Sequence, residues 1–152
     1  MCEVQNRKLW MGENYERKLE EITEGNPFKR PLDNLHSVAE IISHLTCWRK
    51  ETLIKLRTGS GKITDGAGEN WLGNENLVKL GWPTLLDEYR KSLIEIIDFL
   101  EDKEDDFLNT KYYDTDFQGN YEYRFVLNGM LHHDIHHLGQ IGIIIKLLNE
   151  QK

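Results

Sequence analysis

The sequence predicts an all-α fold, an up-down four-helix bundle with a long loop between its second and third helices. Two observations point there. Four segments carry apolar residues at the helical period, and strand signals are weak throughout. The length of 152 residues suits a single domain spanning residues 1–152, enough chain to bury about two-thirds of its unfolded surface.

The first helix is short, running from Glu13 to Ile22 and stopping before Gly25-Asn-Pro27. The second opens on Ser37-Val-Ala-Glu40, a capping box in which the serine and glutamate satisfy free amides reciprocally. Its apolar row is Val38, Ile41, Ile42, Leu45, Trp48, Thr52 and Leu56, and it ends near Thr58, before Gly59-Ser-Gly61. Pro83 is tolerated in a first turn and starts the third helix, which Leu85, Leu86, Tyr89, Leu93, Ile96, Ile97 and Leu100 carry to about Glu101. The fourth runs from about Tyr121 to Leu148. Between the last two, Lys111 to Phe117 reads as a short extended segment.

The segment from Gly59 to Gly81 holds six glycines and Trp71. Connections longer than about 12–15 residues are uncommon in compact domains and tend to be functional or disordered. It reads either as a lid anchored by Trp71 or as a mobile crossover.

Nineteen basic and twenty-six acidic residues give a net charge of −7, which argues against a nucleic-acid or anionic-membrane surface. The nearest basic group, Arg49-Lys50 with Lys55 and Arg57, reads as the solvated face of the second helix. Cys2 and Cys47 imply no disulfide framework, and Cys47, among apolar neighbours, reads as a buried, inert thiol. The polar N-terminus lacks a signal core, and the apolar stretch from Ile141 to Leu148 is too short to cross a bilayer. The expected location is cytoplasmic.

The histidines carry the chemistry. Six occur, four of them between residues 132 and 137. On the fourth helix Val126, Met130, His133, His137, Ile141, Ile144 and Leu148 make one core-facing row, interrupted in its middle by two imidazoles one turn apart. On the second helix His44 sits in a comparable row with Ile41, Leu45 and Trp48. Buried imidazoles without partners cost about 1–3 kcal/mol each, and a shared metal ion would satisfy all three. A three-histidine set leaves a coordination position open, as catalytic rather than structural zinc does. His132 and His136 have the same spacing on a row about 100° round the helix. Spacing alone does not choose between the pairs, though the cleaner apolar row favours His133 and His137. A lone core histidine is more often simply hydrogen-bonded, and His36 reads as a residue leading into the second helix. A di-iron bundle is disfavoured, since Asp134-Ile-His-His137 supplies only one acid-x-x-His motif where two are needed.

The run His133-Asp-Ile-His-His137-Leu-Gly139-Gln140-Ile141 resembles the H-x-x-x-H-x-G-Q-I signature of the DinB/YfiT-like superfamily of proposed metalloenzymes. His36-Ser-Val-Ala-Glu40-Ile-Ile-Ser-His44-Leu-Thr-Cys-Trp48 resembles its H-S-x-x-E-x-x-x-H-x-x-x-W helix, and Trp10-Met-Gly12 resembles a W-x-G found in one branch. The motifs fall in the family's order across nearly the whole chain. The resemblance implies a four-helix bundle holding a divalent metal on His44, His133 and His137, and it selects that pair over His132 and His136. It also implies a homodimer and, among characterised members, thiol-cofactor-dependent transferases and isomerases. The chain departs from the family in having His at 132 and 136, and Val38-Ala39 where an apolar residue and Trp are common.

The leading expectation is therefore a metal-dependent enzyme, zinc or nickel being the ions best suited to neutral imidazoles. It would act on a small molecule as a hydrolase or as a transferase using a low-molecular-weight thiol. The alternative is a non-enzymatic, metal-stabilised bundle or binding module. Trp48 is expected in the core or in the pocket wall, and Asp134 facing away from the metal, in solvent.

Overall fold

The structure is a computed structural model that describes residues 2–22 and 26–151, without the Cys2 side chain. Gly25, read as part of the first helix's stop, lies outside them. Among the described residues six helices and one two-stranded sheet follow in the order α1 (Cys2–Asn6), α2 (Tyr15–Glu20), α3 (Val38–Thr58), α4 (Asn74–Leu80), α5 (Trp82–Glu101), β1 (Lys111–Asp114), β2 (Gly119–Glu122) and α6 (Tyr123–Glu150). The fold is mainly α, as the periodicity predicts. No helix among the described residues is long and apolar enough to cross a membrane.

Helix α3 is the central element, packing against both α5 and α6. Its start is fixed by the predicted box: the Glu40 amide donates to Ser37 Oγ at 3.1 Å, and the Ser37 amide donates to Glu40 Oε2 at 2.8 Å. Its end is fixed by Gly59, whose φ of 73° is left-handed and costs glycine little. The main core gathers Ile41, Ile42 and Leu45 of α3 with Tyr89 of α5 and Leu138, Ile141, Ile145 and Leu148 of α6. A second cluster, nearer the sheet, joins Leu53 and Leu56 to Leu93, Ile96, Tyr112, Tyr123 and Met130.

Three elements differ from expectation. The first predicted helix is shorter, with Asn14 as its N-cap accepting from the Arg17 amide, and α1 precedes it. The long glycine-rich connection is shorter too, because Asn74–Leu80 forms α4, whose Leu77 is fully buried. The extended segment pairs into a hairpin, Tyr112 opposite Tyr121, so α6 begins only at Tyr123.

The charged residues of α3 require a correction. Lys50 and Arg57 are exposed, but Arg49 and Lys55 are only 1% and 3% exposed. Arg49 Nη2 meets Asp134 Oδ2 at 2.7 Å, and Lys55 Nζ meets Asp114 Oδ2 at 2.9 Å. Each lies on a face of α3 that another element covers, which composition cannot reveal.

Candidate metal centre

One residue of α3, His44, and two residues one turn apart on α6, His133 and His137, come into a single group, their candidate ligand atoms all within 4.8 Å of one another. His133 Nε2 lies 2.8 Å from His44 Nε2 and 3.0 Å from His137 Nε2. The outer nitrogens explain this convergence. His44 Nδ1 is 3.2 Å from the Asn70 carbonyl oxygen and His137 Nδ1 is 2.6 Å from Gln140 Oε1. Both oxygens can only accept, so each Nδ1 carries the proton and each Nε2 turns a lone pair inward. A single proton on His133 Nε2 can serve one of these lone pairs, not both. One cation serves all three, and the donor set therefore fits a metal ion.

Electrostatics favour the same state. Burial, with neighbouring imidazoles adding to it, lowers His133 to about 3. Burial, with His44 beside it, lowers His137 to about 4 against the opposing Gln140 bond. Burial also holds His44 below the ordinary histidine value. All three rings are thus neutral at pH 7, the form that ligates.

The loop after α3 supplies the support. Glu51 Oε1 accepts from the Lys62 and Ile63 amides at 2.6 and 3.2 Å, holding the start of the loop. Gly61 lies so close to α3 that a Cβ there would fall 2.8 Å from Glu51 Oε1 and Lys55 Cε. Further on, fully buried Asn70 offers its carbonyl to His44, accepts from Trp48 Nε1 at 2.7 Å and donates to the Asp65 carbonyl at 2.7 Å. Trp71 is sandwiched between His44 (centroids 3.8 Å, planes 9° apart) and His36 (3.9 Å, 8°). The loop is fastened onto the histidine group, with Trp71 as the expected anchor. His36 does more than lead into α3, since it closes the outer face of that stack.

His132 and His136 are exposed. His136 accepts a bond from Gln140 Nε2 at 3.0 Å and lies at the edge of the site. Asp134 faces away from the histidines but is fully buried, not solvated. Besides Arg49 it receives Gln5 Nε2 at 3.2 Å, and its backbone carbonyl accepts from Tyr15 at 2.7 Å. Cys47 is half-buried, and burial pushes its thiol up.

A cavity of about 470 Å³ opens from the histidine group. Trp71, Phe125 and Met130 line it, and Trp48 lies between His44 and Lys55, which lines it together with Tyr112 and Asp114. Gly129 borders it, its missing side chain leaving room. Asn70, Gln140 and Lys55 are the residues sequence reasoning gave no role. Gln140 stood inside the quoted motif, but nothing in the pattern pointed to Asn70.

These features define a class: a helical-bundle protein with three convergent imidazoles at the end of a cavity. The description of the DinB superfamily matches residues 9–141, and the chain belongs to that superfamily. No curated protein matches the chain.

Proposed function

We propose that this protein is a metal-dependent enzyme, a transferase or hydrolase acting on a small molecule, with one divalent ion held by His44, His133 and His137. The observation that carries the reading is the convergence of three Nε2 atoms, two of them with their tautomer set by an outer acceptor. A divalent ion held there supplies Lewis acidity toward the ligand in its open position. Among the described residues the group offers three donors and no fourth, which supports an open, catalytic arrangement over a closed structural one.

The remaining work falls to the chain. Asn70 and Gln140 hold the outer ring nitrogens, the Trp71 stack fixes the plane of His44, and the aromatic walls exclude water from the reacting end. The transferase reading uses a low-molecular-weight thiol as co-substrate, in line with the superfamily. Zinc or nickel is the ion of choice. The fuller picture is a cytoplasmic homodimer of up-down four-helix bundles, in which Gly139, with open space around its Cα, permits close approach of a second copy. Light scattering at micromolar concentration tests the assembly, and a monomeric mass overturns it.

The test of function is metal analysis of purified protein, followed by a thiol-transfer and hydrolase screen before and after chelation. About one ion per chain and a chelator-sensitive activity are expected. Full activity in metal-free protein overturns the reading.

A further inference from the structure

The cavity has a second polar pole that the metal reading does not use. Lys55 lies eleven residues after His44 on α3, three turns along the same face. Trp48 stands between them, its ring 6.5 Å from the His44 ring and 5.6 Å from the Lys55 ammonium. The Asp114 carboxylate beside Lys55 is fully engaged. Its Oδ2 accepts from Lys55 Nζ and Tyr112 Oη, both at 2.9 Å, and its Oδ1 accepts from the Asp116 and Phe117 amides at 3.0 and 3.1 Å.

The ammonium is different. It has three N–H donors, and Asp114 takes one. Its other neighbours are the faces of Trp48 and Tyr112. The buried Glu51 carboxylate lies beside its stem, with Oε1 taken by the Lys62 and Ile63 amides and Oε2 without a partner, a charge that favours an amine. Two donors therefore remain in the wall of the cavity, on a side chain 3% exposed. A buried donor of that kind is worth most to an anionic acceptor.

We propose that Lys55 is a substrate-anchoring residue, and that the ligand of this cavity is an elongated molecule with a metal-binding head and a carboxylate tail, the tail seated on the Lys55 ammonium. The inference rests on the metal reading above. Asp65 and Asp116 also line the cavity and work the other way, favouring an amine. Asp65 is exposed and Asp116 half-buried, so water screens both more than it screens Lys55.

The test uses full-length protein loaded with cobalt, whose visible absorption reports ligands entering the metal's open position. The probes are the monohydroxamates of succinic, adipic and suberic acid, each beside its uncharged alkyl and its ω-amino analogue of equal length. At the best-fitting length the acid should bind at least about ten-fold tighter than the uncharged analogue, with the amine weakest. Lys55→Met should collapse that gap while leaving the uncharged probe's affinity unchanged. Because Lys55→Met strands Asp114, the double variant Lys55→Met/Asp114→Asn is measured as well and should also lose the gap. Equal affinities for acid and uncharged probes at every length, tighter binding of the amine, or a gap that survives in the variants overturns the proposal and leaves the metal reading standing. Failure to take up cobalt overturns both.

Discussion

Two neighbours on α6, His133 and Asp134, enter two polar clusters of opposite character. Around Asp134, donors and acceptors are complementary: Arg49 and Gln5 donate to its carboxylate, and Tyr89 accepts from Arg49 at 3.1 Å while donating to Gln5 at 2.7 Å. Around His133, two lone pairs fixed from outside point at a third nitrogen. The first cluster pairs opposite charges and holds α1, α3, α5 and α6 together, although Asp134 Oδ1 and Arg49 Nε have no partner in it. The second has a donor set that one cation could complete. Buried polar residues are costly in either case, so the pattern of donors and acceptors, rather than burial, separates a structural group from a functional one.

The largest effect expected from this contrast is in the structural cluster. Removing one partner of a buried ion pair costs about 3–5 kcal/mol, so Asp134→Ala and Arg49→Met should each destabilise the fold by that much in urea. Arg49→Met/Asp134→Leu should recover a good part of the loss. A double variant no better than the singles would show that the pair is not the unit described. Both singles should keep their metal stoichiometry if they fold.

The histidine cluster should answer in the reverse sense. His133→Ala and His137→Ala each abolish tight zinc binding, read by equilibrium dialysis, with a cooperative thermal transition retained. Metal-free wild type should likewise remain helical by circular dichroism, gaining a higher midpoint as zinc is added. A largely unfolded apo chain contradicts a cavity built before the ion arrives. If both alanine variants keep full occupancy, the ligands are instead His132 and His136.

The supporting residues come next. Gln140→Ala removes the acceptor that sets the His137 tautomer and should weaken zinc by about 10–100-fold. Trp71→Ala removes a stack worth about 0.5–1.5 kcal/mol per contact, and a loss of several-fold is expected. Unchanged zinc affinity in both would mean the outer contacts do not orient the ligands.

The smallest effect is on pH dependence. The folded apo protein keeps His133 and His137 neutral, their values lowered to about 3 and about 4. The unfolded chain takes up those protons below about 6.5. Apo stability is therefore full above that value and is lost as pH falls toward 3. Zinc, which binds only the neutral rings, should move the acid midpoint lower. An acid midpoint indifferent to zinc argues against the site.

The long helices and the inward row of α6 were legible because burial there repeats at the helical period, which sequence carries locally. The capping box at Ser37 and Glu40 was legible for the same reason. What failed was set by distant partners. Lys55 and Arg49 read as solvated because their acids, Asp114 and Asp134, lie 59 and 85 residues away. The Tyr112 to Tyr121 pairing depends on a turn with Gln118 at positive φ, an uncommon choice with no local signature. Asn70 acts on His44 through its backbone carbonyl, which every residue has. Of the site itself, the residues brought together were readable, and the contacts that orient them were not.

X-ray absorption at the zinc edge of the loaded protein tests the central claim most directly. The account predicts three imidazole nitrogens at about 2.0–2.1 Å and one further light atom that exchanges with added ligand. A fourth imidazole or a sulfur in that shell, or a ligand set unchanged in His133→Ala, would contradict it.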